Sequence, residues 1–255
     1  MNIVGMIPAR MASSRFPGKP LAEIHGIPML GHVFYRSKMS KILDEVYVAT
    51  CDEQIINYIN SIGGIGIITK DTHERASDRC AEAMLKVEKK TGRKIDILVM
   101  IQGDEPLVNP DIIEEAVKPL MGDSSFKVVN LMAKIRTIEE FEDPNEVKVV
   151  VNQKNQALYF SREPIPSRKK GYFNVPMLKQ VCIIPFLRDY LLEFNSMGTT
   201  PLEEIESIDM MRILEHGGIV QMVMIDTETV SVDTPKDLER VTKMMETDTL
   251  RKQYS

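Results

Sequence analysis

Short apolar runs alternate with periodic polar stretches over the first half of the chain. Ile3–Ile7 is an unbroken apolar run and predicts a buried first strand. Pro28–Ser40 predicts a helix with Met29, Val33, Phe34 and Ser37 facing inward, and Glu45–Thr50 reads as a strand. Asp52 stands as an N-cap before a helix whose stripe is Ile55, Ile56 and Ile59. Ile65–Thr69 predicts a third strand. Ser77–Lys90 predicts a helix with Cys80, Ala81, Met84, Leu85 and Val87 on one face and lysines at its carboxy end, where the helix dipole favours them. Ile95–Ile101 is almost wholly apolar, as a strand covered on both faces should be. Asn109-Pro110 opens a further helix over Asp111–Leu120. Strands alternating with helices in this way predict a mostly parallel sheet.

After about residue 125 the rhythm changes. Val128–Ala133, Val147–Asn152, Ala157–Phe160 and Leu178–Ile184 read as strands with few helices between them. Helices return around Phe186–Phe194 and Leu202–His216. Ile219–Ile225 is a last strand, and Asp233-Thr234-Pro235 starts a closing helix over Lys236–Glu246 with Leu238, Val241, Met244 and Met245 inward. The pattern reads as a single domain over 1–255 with a β-rich insertion at about 125–205.

Composition narrows the function. The net charge is −5, so no basic excess is available to follow a nucleic-acid backbone. Cys51, Cys80 and Cys182 are dispersed and lack metal or disulfide spacing, so they read as packing residues. Arg10 and Arg15 interrupt the amino-terminal apolar stretch, which speaks against a signal peptide. No apolar run approaches the ~20 residues that span a bilayer. These features predict a cytoplasmic protein with no membrane insertion.

Strand one runs straight into Pro8-Ala9-Arg10-Met11-Ala12-Ser13-Ser14-Arg15-Phe16-Pro17-Gly18-Lys19-Pro20. A cationic loop at the end of a parallel strand suits a polyphosphate. It is not a Walker A loop: Ser13 replaces the first glycine, and Pro20 follows Lys19 where that motif has Ser or Thr. Pro20 also disfavours helix at Lys19. Gly63-Gly64-Ile65-Gly66 has the wrong spacing for a dinucleotide fingerprint.

Two carboxylates follow predicted strands. Asp104 lies in Gln102-Gly103-Asp104-Glu105-Pro106 after the apolar run ending at Ile101, and Asp233 follows the last strand. Alone, Asp104 reads equally as a turn residue and Asp233 as a helix cap. With the cationic loop they make up a metal-nucleotide site, since Mg²⁺ takes one or two carboxylates plus substrate phosphates.

These strings resemble those of the cytidylyltransferases that activate 3-deoxy-manno-octulosonate (Kdo), the CMP-Kdo synthetases. Further matches are Asn145-Glu146-Val147-Lys148-Val149-Val150, Ala157-Leu158-Tyr159-Phe160-Ser161-Arg162 with Ile165-Pro166, and Val232-Asp233-Thr234-Pro235-Lys236-Asp237-Leu238-Glu239-Arg240. The matches run in order from residue 2 to about 242. The resemblance implies a Rossmann-like nucleotidyltransferase α/β sandwich of three layers, with a mostly parallel central sheet and a β-rich dimerisation insertion. It implies a homodimer that makes a CMP-sugar for lipopolysaccharide or another surface polysaccharide. It implies that Arg10 and Lys19 hold the triphosphate of CTP with Ser13 and Arg15 assisting, and that the backbone of Pro8 and Ala9 approaches the nucleotide. Ser77, Asp78 and Arg79 would approach the base or ribose, and Asp104 and Asp233 would bind Mg²⁺. Gln102 would lie near the cytidine or the acceptor, and Arg162, Lys179 and Asp209 on the acceptor side.

The departures from the family pattern fall on that acceptor side. Ala76-Ser77-Asp78-Arg79 replaces Gly-Thr-Glu-Arg, Lys179 stands where a histidine is usual, Ile183 where a tyrosine is usual, and Met210 where a glutamine is usual. They leave open another sugar acid or a phosphonate as acceptor. A GT-A-like glycosyltransferase and a non-catalytic nucleotide-binding module are the competing classes. The expected reaction is in-line attack of an acceptor oxygen on the α-phosphorus of CTP with loss of pyrophosphate. None of the four histidines, His25, His32, His73 and His216, belongs to the matching strings, so a metal-activated hydroxyl is preferred to a histidine base.

Overall fold

The computed structural model describes residues 1–12, 15–122, 125–171, 175–227 and 229–254. The chain divides into two compact units, one of Met1–Glu114 with Thr229–Ser255 and one of Glu115–Glu228.

The first unit opens on β1 (Ile3–Pro8), buried along its whole length. A single 3-10 turn at Lys19–Leu21 follows, with Pro20 inside it, so the chain does not continue into an α-helix there. A short hairpin, β2 (Glu23–Ile24) and β3 (Ile27–Pro28), leads into α1 (Met29–Lys38). Met29, Val33, Phe34 and Ser37 are all buried on it. Then come β4 (Glu45–Thr50), α2 (Glu53–Ser61), β5 (Ile65–Ile68), α3 (Ala76–Thr91) and β6 (Ile97–Ile101). The strands lie in the order β6-β1-β4-β5, every pair parallel. The central β1 places Gly5 opposite Val46 and Val99, which sets Pro8 beside Ala49. All carboxy ends therefore lie at one edge.

On α3 the buried face is Cys80, Ala81, Ala83, Met84 and Val87, while Leu85 is 44% exposed. A residue directly after Met84 is rotated about 100° away from it, which takes Leu85 off that face. The last α-helix, α9 (Pro235–Met245), returns to this unit. Its Val241 and Met245 pack with Ile24, Met29, Val230 and Val232, with Leu238 and Met244 partly buried at the margin.

The second unit receives the chain from α4 (Pro110–Gly122). It holds β7 (Val129–Lys134), α5 (Ile138–Glu142), β8 (Lys148–Val151) and β9 (Ala157–Ser161). The run Leu178–Ile184 divides at Cys182 into β10 (Leu178–Val181) and β11 (Ile183–Leu187). Phe186 is therefore in a strand, and α6 spans Arg188–Ser196. The stretch Leu202–His216 is two short helices, α7 (Pro201–Glu206) and α8 (Met210–Glu215), because Ser207 between them is left-handed at φ 54°. β12 (Gln221–Ile225) pairs parallel to β7, and the sheet order is β12-β7-β10-β8-β9. Its other pairs are antiparallel, which agrees with the strand-rich rhythm read from the sequence.

Candidate active site

A cleft of about 310 Å³ opens at the carboxy edge of the first unit's sheet. Pro8, Ala9, Arg10, Arg15 and Lys19 line it from the loop after β1, and Gln102, Gly103 and Asp104 from the turn after β6. Asp233 enters from the residue before the cap of α9, and His73, Glu74, Arg75, Ala76 and Arg79 from the start of α3 and the residues before it.

Local structure explains each placement. Gly18 adopts φ 77° and its N–H donates to the carbonyl of Met11 at 3.1 Å, closing the loop at its neck. The left-handed conformation favours glycine there. Phe16 packs against the apolar cluster formed with α9, which ties the loop to the chain that carries Asp233. On that chain Val232 is wholly buried, and its N–H donates to the Asp104 carbonyl at 2.9 Å. Gly103 is needed for a close approach: a Cβ there would lie 3.0 Å from the Pro8 carbonyl oxygen.

The charged groups meet at Lys19. Its Nζ donates to Asp104 Oδ2 at 2.8 Å and to the Val232 carbonyl at 2.8 Å, and lies 3.4 Å from Asp233 Oδ1. Arg15 Nη2 reaches the same Asp233 oxygen at 2.9 Å. Asp104 and Asp233 thus face one ammonium although they come from distant parts of the chain. Two hard oxygen donors facing one cation suit a small divalent cation that completes its shell with phosphate and water. Among the described residues no cluster of three or more His, Cys, Asp or Glu offers a metal site closed by protein alone. Arg10 is exposed at the rim, and no described residue pairs with it. Ser13 lies outside the described residues.

Of Ser77, Asp78 and Arg79, only Arg79 lines the cleft. Ser77 is fully buried, and neither it nor Asp78 lines the cleft. Ala76 and Arg79 do, because residues three apart share a helix face. Arg79 is 3% exposed and donates to Thr69 Oγ1 at 2.6 Å and to the carbonyls of Lys70 and His73. The sequence reading kept histidine away from the site, but His73 lines the cleft. Its Nε2 bonds to Glu82. Burial opposes ionisation of Glu82, yet hydrogen bonds from Lys86, the Lys70 N–H and His73 outweigh it and hold the carboxyl down at about 2. A carboxylate of that kind only accepts, so it fixes the proton on His73 Nε2. Residues 73–75 have no apolar period, so local pattern does not mark them as part of the site. The signal was their position directly ahead of a helix start.

The residues expected near the acceptor, other than Gln102, belong to the second unit. The Arg162 side chain donates to the carbonyls of Glu206, Pro144 and Ser207 at 2.7, 2.8 and 3.4 Å. None of these neutral groups cancels its charge. Asp209 is partly buried at the N-cap position of α8. Lys179 is buried, with Nζ 2.7 Å from Glu140 Oε1 and 3.3 Å from Glu146 Oε2. Burial works against its charge, but the two carboxylates prevail and push its pKa up.

Comparison with known proteins places this architecture. The sequence model of the Cytidylyltransferase family matches residues 4–225. The 3-deoxy-manno-octulosonate cytidylyltransferase of Geobacter metallireducens is 40% identical, covering 96% of this chain and 98% of that one. The protein of the same name from Geotalea uraniireducens is 41% identical, covering 94% and 98%. A solved CMP:2-keto-3-deoxy-manno-octonic acid synthetase in complex with CTP superposes with a TM-score of 0.88 at 36% identity, covering 96% of this chain and 99% of that one. A putative glucose-1-phosphate thymidylyltransferase from Bacillus anthracis, at 17% identity and a TM-score of 0.68, shares the fold. None of these comparisons supports the alternative acceptors or the glycosyltransferase reading. The parallel sheet, the cleft at its carboxy edge and this relationship over nearly the whole length agree: the chain is an enzyme of the cytidylyltransferase family, among the 3-deoxy-manno-octulosonate cytidylyltransferases.

Proposed function

We propose that the cleft binds CTP and that the protein transfers CMP to 3-deoxy-manno-octulosonate, releasing pyrophosphate. The observation that carries this is the convergence of Asp104 and Asp233 on Lys19. Cations for the outer phosphates and oxygen donors for a divalent ion stand within one cleft. Arg10, Arg15 and Lys19 neutralise the negative charge that develops on the departing pyrophosphate. Asp104 and Asp233 would hold Mg²⁺, which would polarise the α-phosphate and make the acceptor hydroxyl more acidic. His73 is committed through Nε2 to Glu82 and is not assigned the role of general base.

Pro8, Ala9 and Arg79 form the wall on the nucleoside side, with Ser77 and Asp78 supporting it from within α3. Gln102 meets the acceptor from within the cleft. In the second unit, Arg162 keeps a charge that its carbonyl partners leave uncancelled, and Lys179, matched by Glu140 and Glu146, is held by its own unit rather than free to grip an acid group.

The protein works as a cytoplasmic homodimer joined through the second unit. Supporting this, the edge strand β9 exposes Leu158, and Ile205 and Ile219 of the same unit are also exposed. An edge strand with apolar groups invites pairing. No helix among the described residues is long and apolar enough to cross a membrane. Light scattering of the purified protein tests the dimer.

Pyrophosphate release tests the reaction, with CTP, ATP, GTP or UTP against a panel of sugar acids and phosphonates. Release requiring both CTP and Kdo is expected. Release with CTP and another acid but none with Kdo would overturn the acceptor, and indifference to the base would overturn the nucleotide.

A further inference from the structure

Asp52 occupies the N-cap position of α2, yet its side chain makes no hydrogen bond to its own helix. It forgoes the stabilisation that a capping aspartate ordinarily gives. Its Oδ2 accepts the N–H of Met11 at 2.8 Å instead, across 41 residues of sequence. The Cys51 thiol lies 3.7 Å from the same oxygen. Asp52 is itself fixed, since its N–H donates to Thr50 Oγ1 at 3.1 Å. Met11 is also the residue whose carbonyl receives Gly18. Both sides of Met11 are therefore fastened, one to the far end of the cationic loop and one to the end of β4.

Arg10 precedes this neck, Arg15 lies within the loop and Lys19 follows it. A negative charge beside a loop that binds phosphates opposes the ligand electrostatically. Its presence is intelligible as geometry, because a carboxylate is a strong acceptor for a backbone N–H. We propose that Asp52 is a positioning residue for nucleotide binding: by holding the Met11 N–H it sets the path of the loop and so the spacing of Arg10, Arg15 and Lys19. This rests on the reading of the cleft as the CTP site.

Steady-state kinetics and melting of the wild type, Asp52→Ala and Asp52→Asn test it. D52A is expected to raise KM for CTP about tenfold, as loss of one charge-assisted hydrogen bond would, with kcat changed less and Tm close to wild type. D52N keeps an acceptor without the charge and is expected to return KM to near the wild-type value. Unchanged KM in D52A overturns the proposal. So does a fall in Tm with unchanged KM, which would mark a purely structural helix cap, and so does a D52N as impaired as D52A. Hydrogen exchange at the Met11 amide reads the tether without turnover: faster in D52A and protected in D52N. Equal exchange in all three proteins overturns it as well. A wild type inert toward CTP with Met11 exchange still accelerated in D52A would count against the CTP function and leave the tether standing.

Discussion

Lys19 and Asp104, 85 residues apart, form an ion pair of 2.8 Å inside the cleft. Lys19 is only 13% exposed and Asp104 28%, so solvent screens the pair incompletely. Asp233 joins the same ammonium from the opposite end of the chain. Without the cation the two carboxylates would repel each other. The arrangement suits exchange of one cation for another, because the two acidic groups are already turned toward a single positive charge.

Asp104→Asn and Asp233→Asn should each lower kcat for pyrophosphate release by about 10²–10³ while leaving the melting temperature near wild type. The fold is protected because Asp104 meets Val232 through its backbone carbonyl, and α9 is capped by the reciprocal Thr234–Asp237 box rather than by Asp233. Chelation of divalent ions should stop turnover of the wild type, and Mg²⁺ should restore it. Turnover that survives chelation would remove the metal from the mechanism.

Gly103→Ala should cost activity more than stability. The added methyl would meet the Pro8 backbone oxygen at 3.0 Å, and backbone yields less readily than a flexible side chain. The strain, about 1–3 kcal/mol for an overpacked position, would be relieved by displacing the turn that carries Gln102 and Asp104. The expected reading is a Tm lower by a few degrees with kcat/KM for CTP down at least tenfold. A fully active G103A with an unchanged melt would refute the close-approach argument.

Glu82 supplies a pH signature. Its folded pKa of about 2 is below its ordinary value near 4.5, so ionised Glu82 stabilises the fold. That contribution is complete above pH 4.5 and is lost as pH falls from 4.5 toward 2. Glu82→Gln should flatten the dependence of melting temperature on pH in that window. It should also release His73 and raise KM for CTP. Parallel melting curves for wild type and E82Q across the window would contradict this.

Lys179→Met should destabilise the protein by about 3 kcal/mol, since it leaves Glu140 and Glu146 facing each other without their shared cation. Burial already pushes the Glu146 pKa up, partly countered by Lys179. KM for Kdo should stay within about twofold of wild type, because a change this small is under half a kcal/mol. A large rise in that KM with an unchanged melt would instead make Lys179 a direct acceptor contact.

Much of the site could be read from local pattern. The cationic loop lies beside an unbroken apolar strand, and the Gln102–Pro106 turn follows another, so both ends of strands were visible. Other positions were not visible because local pattern and tertiary context disagreed. Asp52 has the sequence of a cap and spends its side chain on Met11. Leu202–His216 has helical composition throughout and breaks at Ser207.

The sequence by itself determined the parallel αβ order of the first unit, the strand-rich second unit and the cationic residue types of the loop after β1. Apolar period, turn residues and charge act over a few neighbouring positions, so these are local properties. Only the tertiary structure decided that Asp104 and Asp233 share Lys19, that His73 enters the cleft and that Lys179 is buried between two glutamates. Those are distances between groups far apart along the chain, set by strand register and by the packing of α9 against Ile24 and Met29, and no local pattern encodes them.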